Sequence, residues 1–510
     1  MTRRRRLLAL AAAGGAVGSL CWLPLGLAPA IFLGAALAQR ALRGVTTGRE
    51  AVLAGLVFGA ARYAVAAHFL LWLLRYSPLA IAFYLLAIAY ILPFAVLESW
   101  GAWRLERWSG IPRGAWLAVL YALLEYVRTL GDLSFPADLL AHAFGTAPAF
   151  LAWTPVTGPF AVSLLVFLVG WGVETALLPG LPVRRRAALL VAVTVLWLLP
   201  PVTGLLTSPD HGGAVLRVGI VQPSLTVEEK LDRARRGVNL ELLRALTRRA
   251  AEGTDLVLWP ETARPGHLLW PEGAPLRDPD VEAISSEVGV PILYGCEIAR
   301  HRGRRVTGLY NGVVLVDPRR GAVDWYGKIH LLPFAEGVPF ARLFGWDPAR
   351  RDRSGGGYLT MLGNFSPGPR ATVFRVGNAR IGALVCYEGL YPALARRFRR
   401  EGANVLAVLT NDAWWGRSLF APWHARMAAA RAREENVPVV RAANSGVSSV
   451  AGPDGRLREH TGLFRRTVLR GEVPVGGAPT FYSRHGDWLV GLLLLLVAAG
   501  AAAPLARRRR

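Results

Sequence analysis

What most limits the fold of this chain is a series of apolar runs nearly free of charge. Residues 7–37 hold no charged side chain. A globular core needs one apolar stripe per helix, whereas a segment apolar on every side for ~20 residues belongs in a bilayer. The run is too long for one crossing and is interrupted by Pro24, Gly26 and Pro29. A hairpin of two short helices is the expectation. Further spans are expected at 51–74, 79–97, 115–127, 160–178 and 187–206, and an eighth at 488–505. The chain is 53% hydrophobic with mean hydropathy +0.33, which fits membrane spans better than a soluble enzyme.

Charge gives the orientation. The net charge of +24 could suggest nucleic acid, but the arginines cluster beside apolar runs: residues 3–6, 184–186 and 507–510. Basic loops precede the first span and follow the second (Arg40, Arg43), the fourth (Arg104, Arg107, Arg113) and the sixth. Basic loops stay in the cytoplasm, so seven spans deliver the chain outside and the eighth returns it. Both termini are then cytoplasmic. A signal peptide is not expected, because 7–37 exceeds an h-region and Leu20 before Cys21 is not the small residue of a lipoprotein signal. Three cysteines and nine scattered histidines make neither a disulfide framework nor a metal site, so neither metal nor cofactor is expected.

Three regions follow: a membrane domain at 1–207, a polar domain at 214–480, and a final span with a basic tail at 484–510. In the middle region β-rich segments alternate with Arg-rich helical ones. Strands are expected at 215–222, 254–260, 291–298, 311–318, 379–388, 404–412 and 438–450, and helices at 227–251, 391–400 and 422–435. This alternation predicts a layered α/β domain.

Three strand ends carry chemistry. Cys386 closes the apolar strand IGALVC, where open α/β sheets place reactive groups. A buried structural cysteine is the bland alternative, and a thiol needs a base or a cation to become a nucleophile. Glu261 follows LVLWP, and Lys328 follows AVDWYG. The lysine is conspicuous, because of 59 Lys plus Arg only Lys230 and Lys328 are lysine. A compact ammonium fits against a developing oxyanion where a planar guanidinium does not.

The order Glu, Lys, Cys in these contexts resembles the carbon–nitrogen hydrolase (nitrilase) superfamily. YGKIHLLPFAEGVP, CYEGLYP, NDAWWG with the following AP-x-x-H, and RAANSGVS are similar to the motifs of its apolipoprotein N-acyltransferase family. The resemblance implies an αββα sandwich outside the bacterial cytoplasmic (inner) membrane. It implies that Glu261 is the general base, Cys386 the nucleophile, and Lys328 the stabiliser of the oxyanion together with the Tyr387 N–H. Glu336, Tyr387 and Glu388 would support them, Glu388 by orienting Lys328 or Glu261; a solvated loop carboxylate is the alternative for Glu336. Trp414 and Trp415 would line a lipid entrance or serve only as interfacial anchors.

The implied reaction takes an acyl chain from a membrane phospholipid to the N-terminal amine of a diacylated apolipoprotein, with no nucleic acid as partner and the chain acting as a monomer. One departure stands out: the family's Gly-Glu-Tyr is Ala335-Glu336-Gly337 here. Two other readings compete. A membrane-tethered amidase or nitrilase acting on a small amide shares the triad but needs no eight spans. A transporter with a decayed soluble domain would need ionisable groups deep in its spans, and Glu125 and Glu174 lie near span ends.

Overall fold

The computed structural model describes residues 2–23, 27–206, 213–340, 343 and 365–508. Pro24, Gly26, Arg509 and Arg510 lie outside the described residues.

The polar region builds two sheets. The first has the order β13-β1-β2-β4-β5-β6, with β3 also paired to β4. Its strands are β1 (Ala214–Gln222), β2 (Leu256–Leu258), β3 (His267–Pro271), β4 (Ile292–Arg302), β5 (Arg305–Asp317), β6 (Gly321–Gly327) and β13 (Thr467–Val475). The second has the order β12-β11-β10-β9-β8-β7. It contains β7 (Val373–Val376), β8 (Ala379–Val385), β9 (Val405–Thr410), β10 (Val439–Ala443), β11 (Ser449–Ala451) and β12 (Leu457–His460). The two-residue period of a strand divides its side chains between two cores. Leu256 and Leu258 join a core shared with the second sheet, whereas Val257 and Trp259 pack with Leu243, Leu246 and Ala250 of the helix Arg236–Ala251. The helices Pro392–Arg400 and Phe420–Glu435 cover the far face of the second sheet. The layers are helix, sheet, sheet, helix.

Strand β2 runs parallel to β1 and β4, and β8 runs parallel to β9. The carboxyl ends of β2 and β8 therefore supply the loops that carry Glu261 and Cys386.

Two expected elements are broken. The helix expected at 227–251 is two, Val227–Leu231 and Arg236–Ala251, because Asp232 turns extended and caps Ala234. The strand expected at 438–450 stops at Ala443, where Asn444 turns its side chain to Leu225 and Asn411. The helix Pro279–Val288 and the edge strand β13, paired along its length with β1, did not stand out in the sequence. Arg470, Gly471 and Pro474 dilute the strand pattern of β13.

The apolar runs are helical. Residues 7–37 give two packed helices, Arg3–Ser19 and Ala30–Arg43. Among the described residues three helices are long and apolar enough to cross a membrane: Ala80–Ser109, Val183–Leu205 and Trp488–Leu505. The number rises to five if each of two bent pairs counts as one span. The helices Arg3–Ser19, Ala30–Arg43 and Arg113–Val127, of 17, 14 and 15 residues, fall short of the ~20 residues a full crossing takes. The span expected at 51–74 is not straight. It bends by 46° between Gly48–Ala66 and the 3-10 segment His68–Arg75. The bend lays that segment on the polar region, where Phe69 stacks on Phe420 at 4.4 Å.

Candidate active site

The loops after β2, β6 and β8 bring Glu261, Lys328 and Cys386 together. Cys386 has φ +52 and opens the 3-10 turn Cys386–Leu390. A non-glycine residue in the left-handed region is uncommon and strained. Here it lets the strand end abruptly, with the residue as a whole half-buried and its thiol turned inward. Burial pushes the thiol pKa upward, the Glu261 carboxylate adds to the rise, and Lys328 opposes it. Cys386 is thus a thiol at neutral pH, and to act as a nucleophile it would have to give up its proton.

Glu261 is buried and sits where it can be held on both oxygens. Asn311 Nδ2 donates to Oε1 at 2.7 Å, and the Asn411 backbone N–H donates to Oε2 at 2.8 Å. Burial raises its pKa, partly offset by Lys328 and reinforced by Glu336. A carboxylate of raised proton affinity, aimed by two donors, suits a general base.

Lys328 is buried to 1% exposure, and its Nζ lies 2.7 Å from Glu336 Oε2. Burial alone would depress its pKa, but Glu336, then Cys386 and Glu261, raise it, so the ammonium stays charged. Glu336 is therefore not a solvated loop carboxylate. It also accepts from Asn311 Nδ2 at 2.8 Å and from the Leu332 N–H at 2.8 Å.

Glu388 is fully buried and touches neither the Lys328 nor the Glu261 side chain through a hydrogen bond. It accepts instead from the N–H groups of Ile329 and His330, directly after Lys328, and of Val385, directly before Cys386. Tyr326 Oη, two residues before Lys328, completes the set at 2.8 Å. Glu388 thus pins together the two backbones that carry the ammonium and the thiol. Burial pushes its pKa up to about 7 against the pull of Lys328 and these donors. Tyr387 is buried, with its ring edge-on to Tyr391 at 5.5 Å.

Trp414 and Trp415 are half-buried at the seam with the membrane half. Trp415 meets Phe69 at 5.2 Å and Trp414 meets Tyr76 at 5.4 Å. Arg75 donates to the carbonyls of Ala413 and Trp414 at 3.2 Å each. The turn that holds Glu261 through Asn411 is thereby clamped by a residue of the membrane half. Behind it, Asp412 is held down to about 2 against its burial, by Arg441 at 2.8 Å and His424 at 3.1 Å.

Sequence reasoning missed Asn311, whose amide serves both glutamates. Its signal was a polar residue inside the buried strand β5, which demands a partner. A Cβ at Gly337 would lie 3.1 Å from Leu331, so a side chain there would need Leu331 to give by a few tenths of an ångström. No group of three or more His, Cys, Asp or Glu suited to a metal occurs among the described residues.

Comparison with known proteins decides the family. Residues 217–478 match the carbon-nitrogen hydrolase family, and residues 14–172 match the apolipoprotein N-acyltransferase N-terminal domain. The apolipoprotein N-acyltransferase of Geobacter metallireducens is 32% identical over 79% of this chain and 76% of its own length. That of Azotobacter vinelandii is 31% identical over 96% of this chain and 93% of its own. The chain belongs to the apolipoprotein N-acyltransferase family. That of Chlorobaculum tepidum is 31% identical over 78% of this chain. The amino-terminal match covers most of the apolar helices before the polar region but not Val183–Leu205 or Trp488–Leu505, so the family signature lies in both the helical and the polar parts of the chain.

Proposed function

We propose that this chain moves an acyl chain from a membrane phospholipid, through a thioester on Cys386, to the α-amine of diacylglyceryl-cysteine in an apolipoprotein. The observation that carries the reading is the convergence of a base, an ammonium and a thiol beside the seam with the apolar helices. Glu261 takes the proton as Cys386 Sγ attacks the ester carbonyl. Lys328, with the Tyr387 N–H, stabilises the oxyanion. Glu261 returns the proton to the alcohol oxygen of the departing lyso-phospholipid. The free amine then attacks the thioester, Glu261 accepts its proton, and the thiol is regenerated. Two substrates that react in turn with one cysteine give ping-pong kinetics.

Glu336 and Glu388 act as positioning residues, and Trp414 and Trp415 border the lipid entrance. Eight helical segments hold the domain at the extracytoplasmic face, with both termini cytoplasmic and the short ones completing the bundle. Both substrates are lipid-anchored, so an active site at that interface receives them laterally and shields the thioester from water. The protein works as a monomer and needs no cofactor.

Intact-mass analysis after incubation with phospholipid tests the reading. An acyl adduct that maps to Cys386 and is absent in Cys386→Ala is expected. Active protein that never carries an adduct would overturn it. Lyso-phospholipid formed in equal yield with N-acylated peptide separates transfer from a tethered amidase.

A further inference from the structure

Both lysines of this Arg-rich chain bear on the same residue, although Lys328 is itself paired with Glu336. Lys328 acts on the Glu261 carboxylate; Lys230 reaches its backbone. Lys230 Nζ donates to the Glu261 carbonyl at 3.1 Å and to Thr262 Oγ1 at 2.7 Å. The peptide it grips is strained: Thr262 has φ +46, a rare state for a β-branched residue. From the other side β4 presses close. A Cβ on Gly295 would lie 2.5 Å from the Pro260 carbonyl oxygen and 2.6 Å from Glu261 Cα. A backbone in such a conformation persists only where its surroundings over-determine it.

Lys230 is itself anchored. The capping box of Thr226 and Glu229 fixes the start of Val227–Leu231, and Asn239 Nδ2 binds the Glu229 carbonyl at 2.8 Å. Asn444 joins Leu225, just before this helix, to Asn411, whose N–H aims Glu261 Oε2. The break after Leu231 ends this helix and sends the following chain into a separate one.

We propose that Lys230 is a positioning residue of the acyl-transfer reaction, fixing the strained Glu261–Thr262 peptide and placing a positive charge beside the base. The inference rests on the proposed role of Glu261. An arginine there would carry the charge but not the compact three-donor head that serves a carbonyl and a hydroxyl at once. The charges acting on Lys230 are Glu261 and, from β4, Glu297, which is paired with His267. Those acting on Glu261 are Lys328, Glu336 and Lys230. Removing the Lys230 charge raises the proton affinity of Glu261, so the acid limb of the reaction moves to higher pH.

The test follows acylation of Cys386 by phospholipid vesicles in single turnovers across pH, for the full chain in detergent. In Lys230→Met the rate is expected to fall ~10–100-fold with the phospholipid KM within ~3-fold, and the acid limb to rise by about one pH unit. Lys230→Arg should restore the limb without restoring the rate. Lys230→Met added to Glu261→Gln should cost nothing further, because Lys230 acts through Glu261. A folded Lys230→Met with the wild-type rate and limb overturns the proposal, and so do losses that add to those of Glu261→Gln. If Lys230→Met does not fold, Lys230→Gln, which keeps a donor for the carbonyl, carries the same measurements. Wild-type protein that never acylates Cys386 would instead fail the functional reading, before Lys230 is reached.

Discussion

Two clusters of buried charge differ in how they are satisfied. In the catalytic domain every carboxylate oxygen of Glu261, Glu336 and Glu388 accepts from at least one donor. In the helical half, Arg62, Arg128, Glu125 and Asp138 are as deeply buried. There Arg128 meets Asp138 at 2.9 Å, but Arg62 comes no nearer to it than 3.8 Å. Three nitrogens of Arg62 and one oxygen of Asp138 have no hydrogen-bond partner among the described residues. Arg62 lies over the Tyr121 ring at 5.2 Å instead. Burial of charge is thus common to both. In the helical half Glu125 is held on both oxygens, by the Leu140 N–H and Ser163. The difference therefore lies in the cations: Lys328 is paired directly with a carboxylate, whereas Arg62 is not. Chemistry depends on such placement because a charge set beforehand costs no reorganisation in the transition state.

The sharpest way to break this contrast is to remove its central parts. Cys386→Ala should abolish the acyl adduct, read by intact mass. Lys328→Arg should lower transfer by at least ~10³-fold while the protein still folds and inserts; wild-type-like turnover would strip the ammonium of its role. Next in size is Asn311→Leu, which takes a donor from two carboxylates at once. Acylation should fall ~10²-fold and the acid limb should rise, because the Asn311 bond lowers the Glu261 pKa.

Smaller is the limb of the wild-type itself. Glu261 must be ionised to take the thiol proton, and burial raises its pKa. Activity is therefore lost as pH falls through a midpoint above the ~4.3 of an ordinary glutamate, and a midpoint at or below that value contradicts the described environment. The smallest effect is expected in the helical half. Arg62→Met should leave acylation within ~2-fold and the melting temperature unchanged or higher, since an under-partnered buried charge contributes little. Asp138→Asn, which strips Arg128 of its nearest carboxylate, should lower the melting temperature by several degrees with acylation again within ~2-fold.

Much of this was legible in the sequence where one residue type does one job. Glu261, Lys328 and Cys386 each stand at a strand end, and the short apolar runs before Glu261 and Cys386 mark those ends. Asn311 was legible only as a polar residue that needs a partner, because nothing local distinguishes a strand asparagine that bridges two carboxylates from one that meets a backbone. Lys230 was noticed only as a rarity; its target depends on a helix break set by Asp232. The bend at Ala67 was hidden for a similar reason. Hydropathy reads 51–74 as one apolar run, and what bends it is packing against Phe420, encoded some 350 residues later.

The Asn311 amide has one further consequence. Its two N–H protons point at different carboxylates, Glu261 Oε1 at 2.7 Å and Glu336 Oε1 at 2.8 Å. Turning the amide over would set its oxygen against both, so the group is fixed in one sense. Labelled with nitrogen-15 on that side chain, it becomes a two-channel magnetic-resonance probe. One proton line follows the charge on Glu261 and the other the charge on Glu336, each read separately while the thioester forms and decays.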